Sequence, residues 1–395
     1  NDVNYAKAPQ TNKGGKGVGG GLITHFTEEH ELFRETFRAF LEKEVRPNIN
    51  QWEKDGELPR DIYRKFGELG FFGMTLPEEY GGMDGDMMYN VIFDEEIGRM
   101  NSGGFGASIG AHPLLALTHL NAEGTEEQKQ KYLAPGIKGE KVGCLAITEP
   151  FGGSDVQAIR TTAVKEGDHY IVNGSKTFIT NGVLSDFLIV VCKTDPNTKG
   201  AKGMSLLIMD RDSEGLSATK LDKLGWRASD TGEIAFDNVR IPAANLMGEE
   251  GRGFPYIMQH FALERLIMGI NAHARAQYAL EYAMQYMSER QAFGKNLNKF
   301  QVLRHKVAEM ASEVEMHREF NYTIAKRLNE GQYVVKEASM SKLLSTKMAD
   351  RVAYQALQML GGYGYMEEYP LARLFRDSRL GPIGGGTSEI LCEII

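Results

Sequence analysis

The chain has 395 residues, 42% of them hydrophobic and 25% charged, and a formal net charge of -8. That length supports two or three packed units around sizeable cores, and the composition is ordinary for a globular protein. The acidic balance excludes a nucleic-acid binder, which needs a basic face, and no apolar run approaches the roughly 20 residues of a membrane span.

Residues 1–23 are polar and glycine-rich, lack the apolar core of a signal peptide, and read as a disordered tail. Gly15-Lys16-Gly17-Val18-Gly19-Gly20 satisfies GxGxxG literally. A dinucleotide fingerprint needs a strand before it and a helix after it, and the preceding polar stretch supplies no strand.

Residues 24–141 read as a helical domain. Phe33, Phe37, Phe40 and Leu41 share one helical face, with Thr27 as N-cap and Pro47 as the stop. Further helices are expected near 59–69, 88–100, 112–122 and 126–138. Residues 142–250 read as a middle β domain. Tyr170–Val172 and Thr177–Ile179 flank Asn173-Gly174, a hairpin signal, and 187–193, 204–209 and 233–236 look like further strands. No long helix interrupts them, which favours an antiparallel barrel or sandwich over a Rossmann unit. Residues 251–395 read as a second helical domain. Pro255 suits a helix start, one helix of roughly thirty residues ends before Gly294, and helices follow at 301–329 and 336–360. The fold class is α+β: helical, β, then a four-helix-type helical domain.

Three widely spaced cysteines, Cys144, Cys192 and Cys392, indicate neither a zinc site nor a disulfide framework and suit a reducing compartment. The nine histidines show no HExxH or clustered spacing, so no metal is expected. No serine or cysteine sits in a recognisable nucleophile elbow.

Two glycine clusters carry more. Ala146-Ile147-Thr148-Glu149-Pro150-Phe151-Gly152-Gly153-Ser154-Asp155 offers backbone N–H groups that can approach a ligand; it reads equally as a tight turn between domains. Gln358-Met359-Leu360-Gly361-Gly362-Tyr363-Gly364-Tyr365 ends a long helix, where a glycine C-cap and a ligand-facing helix end are both open.

These two segments, with Lys176–Gly182, Lys223–Thr231, Arg290–Lys295, Gly70–Gly73 and Leu76–Gly82 in fixed order, resemble the acyl-CoA dehydrogenase family from about Thr27 to Ile395. The resemblance implies a helical, β and helical fold binding FAD. It implies that Leu145, Ala146, Ile147 and Thr148 contact the isoalloxazine, that Gly153 and Ser154 lie near FAD and CoA phosphates, and that Phe178, Ile179 and Thr180 flank the flavin. Arg290, Phe293 and Gln301 would reach a partner subunit's FAD, with Gln358, Gly361 and Gly362 at the adenosine end and Thr387 and Glu389 closing the flavin site. A homotetramer is implied, with acyl-CoA as substrate and electron-transfer flavoprotein as acceptor, in bacterial cytoplasm or the mitochondrial matrix.

The chemistry needs a carboxylate to take a thioester α-proton while the β-hydrogen leaves as hydride. Most relatives carry it in a Tyr-Glu-Gly-Thr stretch. Here Gly384-Gly385-Gly386-Thr387 has glycine in its place. The long-chain and isovaleryl-type branches carry it on the first long C-terminal helix, which matches Glu264 in Phe261–Met268. A carboxylate in such an apolar run is costly unless paired or functional. Glu264 is therefore the expected base, with His260 a turn earlier as an available partner; the bland alternative is a Glu264–Arg265 charge patch. By resemblance Arg265 places CoA, the amide of Gly385 serves the thioester carbonyl, and Gly384, Gly385 and Gly386 line the substrate. Gly384 replaces a bulky aromatic, leaving room for a methyl branch, whereas Gly381-Pro382-Ile383, Glu389-Ile390-Leu391 and Gly364–Pro370 resemble the long-chain branch, so both acyl classes stay open. A flavin monooxygenase on the same scaffold, or a catalytically silent acyl-CoA-binding subunit, are the alternative functions.

Overall fold

The computed structural model describes residues 25–195, 197–198 and 200–395; the tail and the GxGxxG stretch lie outside them. In chain order the α-helices are α1 (Glu28–Phe40), α2 (Ile49–Asp55), α3 (Arg60–Glu68), α4 (Met87–Gly98), α5 (Gly103–Ala111), α6 (Thr118–Glu123), α7 (Glu126–Gln128), α8 (Ala134–Ile137), α9 (Gly253–Glu289), α10 (Gln301–Asn329), α11 (Val335–Met359), α12 (Pro370–Ser378) and α13 (Ser388–Ile394). The strands are β1 (Gly143–Ala146), β2 (Thr162–Glu166), β3 (His169–Ile179), β4 (Phe187–Lys193), β5 (Met204–Asp210), β6 (Leu216–Lys220), β7 (Gly232–Pro242), β8 (Leu246–Met247), β9 (Gln291–Ala292) and β10 (Lys295–Asn296).

Two compact units result. One comprises Asn48–Asp86 and Gly104–Glu264. Its sheet runs β6-β7-β3-β2-β4-β5-β8, antiparallel except that β1 and the end of β2 pair with β4 in parallel. β4 is apolar from Phe187 to Cys192 because both its faces are covered there. Phe187, Ile189 and Val191 pack with Leu117, Leu120 and Leu133 from the helical segments, whereas Leu188, Val190 and Cys192 pack with Val172, Leu207 and Ile234. β7 alternates buried and exposed residues, so one of its faces meets water.

Asn173-Gly174 is not a hairpin turn. β3 runs unbroken through it, and the turn into β3 is at Gly167, φ +63°. Gly174 is needed for a different reason: a Cβ there would come within 2.6 Å of Thr161 Oγ1. Asn173 instead caps an irregularity in β7, accepting the Asn238 N–H at 2.8 Å. A second register shift lies between Lys176 and Ile179, on β3 itself. An extra residue there turns side chains to the opposite face.

The other unit comprises residues up to Pro47, Met87–Gly103 and Arg265–Ile395. Its core joins Ala276, Ala279 and Ala283 of α9 to Met310 and Val314 of α10, Val352 and Ala356 of α11, and Leu371 and Leu374 of α12. Small residues on α9 let the helices approach closely. Thr27 caps α1, its hydroxyl accepting the His30 N–H at 3.3 Å, as its position before the apolar stripe implies. α2 and α5 are not anticipated by periodicity. α5 reads GGFGASIGA, poor in helix formers, and forms where packing rather than propensity decides. Among the described residues no helix is long and apolar enough to cross a membrane, and no group of three or more potential ligands could hold a metal.

Candidate active site

β1 delivers the first glycine cluster. Past Ala146 the chain forms a tight turn in which the Glu149 and Gly152 backbones exchange hydrogen bonds of 3.1 and 3.0 Å. Gly153 and Ser154 are exposed beyond it, and a Cβ at Gly153 would meet only Thr148 Cγ2, at 3.7 Å. The Thr177 N–H donates to the Thr148 carbonyl at 2.8 Å, bringing this turn alongside the end of β3. Phe178 follows with φ +59° and 70% of its surface exposed. A left-handed phenylalanine is strained by about 1–3 kcal/mol, and strain of that kind gathers at ligand sites. Of the residues expected here, Leu145, Ile147, Thr148 and Thr180 are half-buried, while the side chains of Ala146 and Ile179 point into the core and leave only their backbones for a ligand.

Two further groups lie in the other unit. β9 and β10 form a hairpin whose central residues, Phe293 and Gly294, both have positive φ, +51° and +74°, so the turn splays Phe293 outward at 94% exposure. Arg290 at its base lies over the Tyr363 ring at 5.5 Å. Gly361 and Gly362 follow α11, and a Cβ on either would meet nothing within 4 Å. Gln301 and Gln358 are exposed. An exposed aromatic, an arginine and an open glycine corner fit the adenosine and phosphate portions of FAD, as the Phe178 platform fits its ring.

The C-terminal loop is the third element. Gly385 and Gly386 have φ of +63° and +93°, a region that L side chains avoid, so a carboxylate-bearing residue at 385 would be strained. Lys342, with no solvent exposure, donates to the Gly386 carbonyl at 2.5 Å and anchors the loop to α11. Thr387 accepts the Ile390 N–H at 3.3 Å and caps α13, whose first turn holds exposed Glu389. The Glu389 carboxyl sits below its usual range because backbone and Thr387 donors favour the ion.

On α9, Glu264 is half-buried. Arg265 is 4% exposed, and its Nη1 donates to Ser339 Oγ at 3.3 Å, so its guanidinium is an interior group. His260 lies against His119 with ring centroids 4.2 Å apart and the rings tilted by 48°, and its buried Nε2 has no hydrogen-bond partner. Burial pushes the His260 imidazole down, and it pushes His119 down to about 3, so both rings are neutral.

Sequence reasoning missed Lys176 and Glu149 as partners. Lys176 Nζ is 2.7 Å from Glu149 Oε1, with side-chain exposures of 0% and 3%. Its position on the inward parity of Tyr170 and Val172 was the available signal. The Lys342 anchor had none, because it depends on which loop meets α11.

Residues 27–140, 144–239 and 251–395 match the models for the acyl-CoA dehydrogenase N-terminal, middle and C-terminal domains. The chain is 38% identical over 382 residues to the mitochondrial long-chain specific acyl-CoA dehydrogenase of Mus musculus, covering 95% of this chain and 87% of that protein. It is 40% identical over 367 residues to the short-chain specific acyl-CoA dehydrogenase of Clostridium acetobutylicum, covering 93% and 96%. The crystal structure of an acyl-CoA dehydrogenase from Geobacillus kaustophilus superposes with a TM-score of 0.92 at 45% identity, covering 94% and 97%.

Proposed function

Because this chain belongs to the acyl-CoA dehydrogenase family, FAD-dependent oxidoreductases that desaturate acyl-CoA thioesters between the α and β carbons, we propose that Glu264 is the base that takes the α-proton. The carrying observation is the pairing of two facts. Gly385 bears no side chain and has a backbone, φ +63°, that disfavours one, while α9 holds a half-buried carboxylate at 264. A partly desolvated carboxylate is a stronger base than one in water, which an acid as weak as a thioester α-carbon requires.

The remaining roles follow from resemblance and are supported by local geometry. The Gly385 N–H donates to the thioester carbonyl from a loop that Lys342 holds still, so its dipole is preset for the developing enolate. Leu145–Thr148 and Phe178–Thr180 bind the isoalloxazine; Arg290, Phe293 and Gln301 reach the FAD of a partner subunit, with Gln358, Gly361 and Gly362 at its adenosine end, and Thr387 and Glu389 close the flavin site. When bound, FAD supplies the hydride acceptor. Ser154 and Arg265 contribute to CoA binding, Arg265 by shaping the interior beside Ser339. The domain boundaries follow the period changes at 141 and 250.

A homotetramer and electron-transfer flavoprotein as acceptor complete the reading. Exposed apolar residues on α10 and α11, Val302, Met316, Leu344 and Tyr354, support self-association. The test is anaerobic titration of the purified yellow protein with straight and branched acyl-CoAs. Bleaching of the flavin by an acyl-CoA is expected. An unchanged flavin, with O2 consumed only when reduced flavin is supplied, would overturn the reading.

A further inference from the structure

β3 joins two features that its strand pattern alone does not require: a charged side chain sealed inside the sheet and, two residues on, a strained aromatic exposed to solvent. Lys176 Nζ donates to Glu149 Oε1 at 2.7 Å and to the Ile147 carbonyl at 3.0 Å. Glu149 in turn accepts backbone N–H groups from Arg160 at 2.5 Å and Thr161 at 3.0 Å. Every partner of the ammonium thus lies in, or is held against, the turn that leaves β1. Between Lys176 and Phe178, the Thr177 N–H bonds the Thr148 carbonyl.

Buried charge is an expensive way to hold a strand; apolar side chains of similar size often do as well. Strained backbone persists only where its surroundings over-determine it. Lys176 does both jobs at once. The extra residue just past it turns Phe178 outward, and its ammonium fixes the Ile147 carbonyl where the chain leaves β1. Burial pushes the Lys176 ammonium pKa down, while for Glu149 burial is outweighed by Lys176 and the backbone donors, which hold its carboxyl below the usual range.

We propose that Lys176 is a positioning residue for the cofactor: with Glu149 it clamps the Ile147–Glu149 turn to the bulged end of β3, presetting the turn's backbone and the Phe178 ring as one rigid flavin platform. This rests on the assignment of that turn and Phe178 to the isoalloxazine.

The K176M/E149Q double variant leaves neither ion buried without its partner, and its amide oxygen can accept one of the two N–H groups, of Arg160 and Thr161, that Glu149 accepts. It is expected to fold with a modestly lowered melting temperature, to bind FAD at least tenfold more weakly, and to show an altered flavin absorption band. E149Q alone leaves the Lys176 ammonium buried without its counter-charge, so it is expected to be the less stable of the two variants and to lose at least as much FAD affinity. In the unaltered protein, FAD is expected to slow amide exchange across residues 147–149 and 177–180. Wild-type FAD affinity and spectrum in either variant, or exchange at these residues indifferent to FAD, would overturn the proposal. A wild-type protein with no affinity for FAD would instead sink the underlying flavin assignment.

Discussion

His273 on α9 meets Glu95 on α4 through a 2.9 Å contact between Nε2 and Oε1, both side chains at most 7% exposed. Asn321 donates to the other ring nitrogen at 2.9 Å, so His273 offers its Nε2 proton to the carboxylate. Arg34 reaches the second Glu95 oxygen at 2.7 Å, and the Tyr322 hydroxyl also donates to Glu95. Burial opposes ionisation of Glu95, but these donors outweigh it and hold its pKa at about 2. E95Q takes the carboxylate charge from His273 and leaves Arg34 with Glu96, at 3.2 Å, as its buried anion, and is expected to cost about 3–5 kcal/mol, the range for breaking a buried pair. A melting temperature within a degree of wild type would contradict this.

Acid should act in two stages. His112 is buried, its Nδ1 accepting the Gly143 N–H at 3.0 Å and its Nε2 donating to Gly136 O at 2.9 Å, and burial lowers its pKa from 6.5 to about 4. A lowered histidine contributes stability that is complete above 6.5 and lost as pH falls towards 4. Glu95 adds a second loss as pH falls from 4.5 towards 2. Denaturant unfolding at a series of pH values should show the first decline beginning near neutrality, reduced in H112N. A flat profile from pH 7 to pH 5 would refute the neutral buried imidazole.

E264Q should retain FAD and its melting temperature, because the substitution is nearly isosteric and the site is only half-buried. Turnover should fall by about 10²–10⁴, the usual contribution of a positioned general base. Flavin bleaching under anaerobic acyl-CoA titration is the measurement. Full bleaching at the wild-type rate would remove Glu264 from the mechanism.

Gly384 lies outside the left-handed region occupied by its two successors, and a Cβ there meets only Leu380 atoms at 3.7–3.9 Å. G384Y should therefore fold. The added ring is expected to lower kcat/KM for methyl-branched acyl-CoAs by at least about tenfold relative to straight chains, a difference on the scale of one poorly fitted methyl group. Equal effects on both classes would show that position 384 does not face the acyl carbons.

F178G should trade function for stability. Glycine relieves the positive φ at a residue that is 70% exposed, so the apoprotein should gain about 1 kcal/mol. FAD affinity should fall, because the aromatic face is lost. A less stable apoprotein, or unaltered FAD binding, would count against a flavin-facing strained phenylalanine.

Much of this architecture was legible residue by residue. The period of α10 marked Gln301–Asn329, and the apolar run Phe187–Lys193 marked a strand buried on both faces. The glycine clusters marked the turns after β1 and α11 before any geometry was known. Asn173-Gly174 misled because a hairpin signal is local, whereas the need for glycine came from Thr161, close in space just before the neighbouring strand β2. α5 was invisible because burial, not propensity, makes its glycines helical.

The amino-acid order by itself determined the helical and β segments, the place of the glycine loops, and the absence of a carboxylate at 385 beside its presence at 264. Only the tertiary structure decided that Phe178 stands outward on a bulge, that Lys176 and Glu149 close on each other inside the sheet, that Arg265 turns inward to Ser339, and that Lys342 grips the Gly386 carbonyl. Periodicity records which face a residue takes along its own element. The partner a buried charge finds depends on elements far away in the chain, whose approach is set by packing.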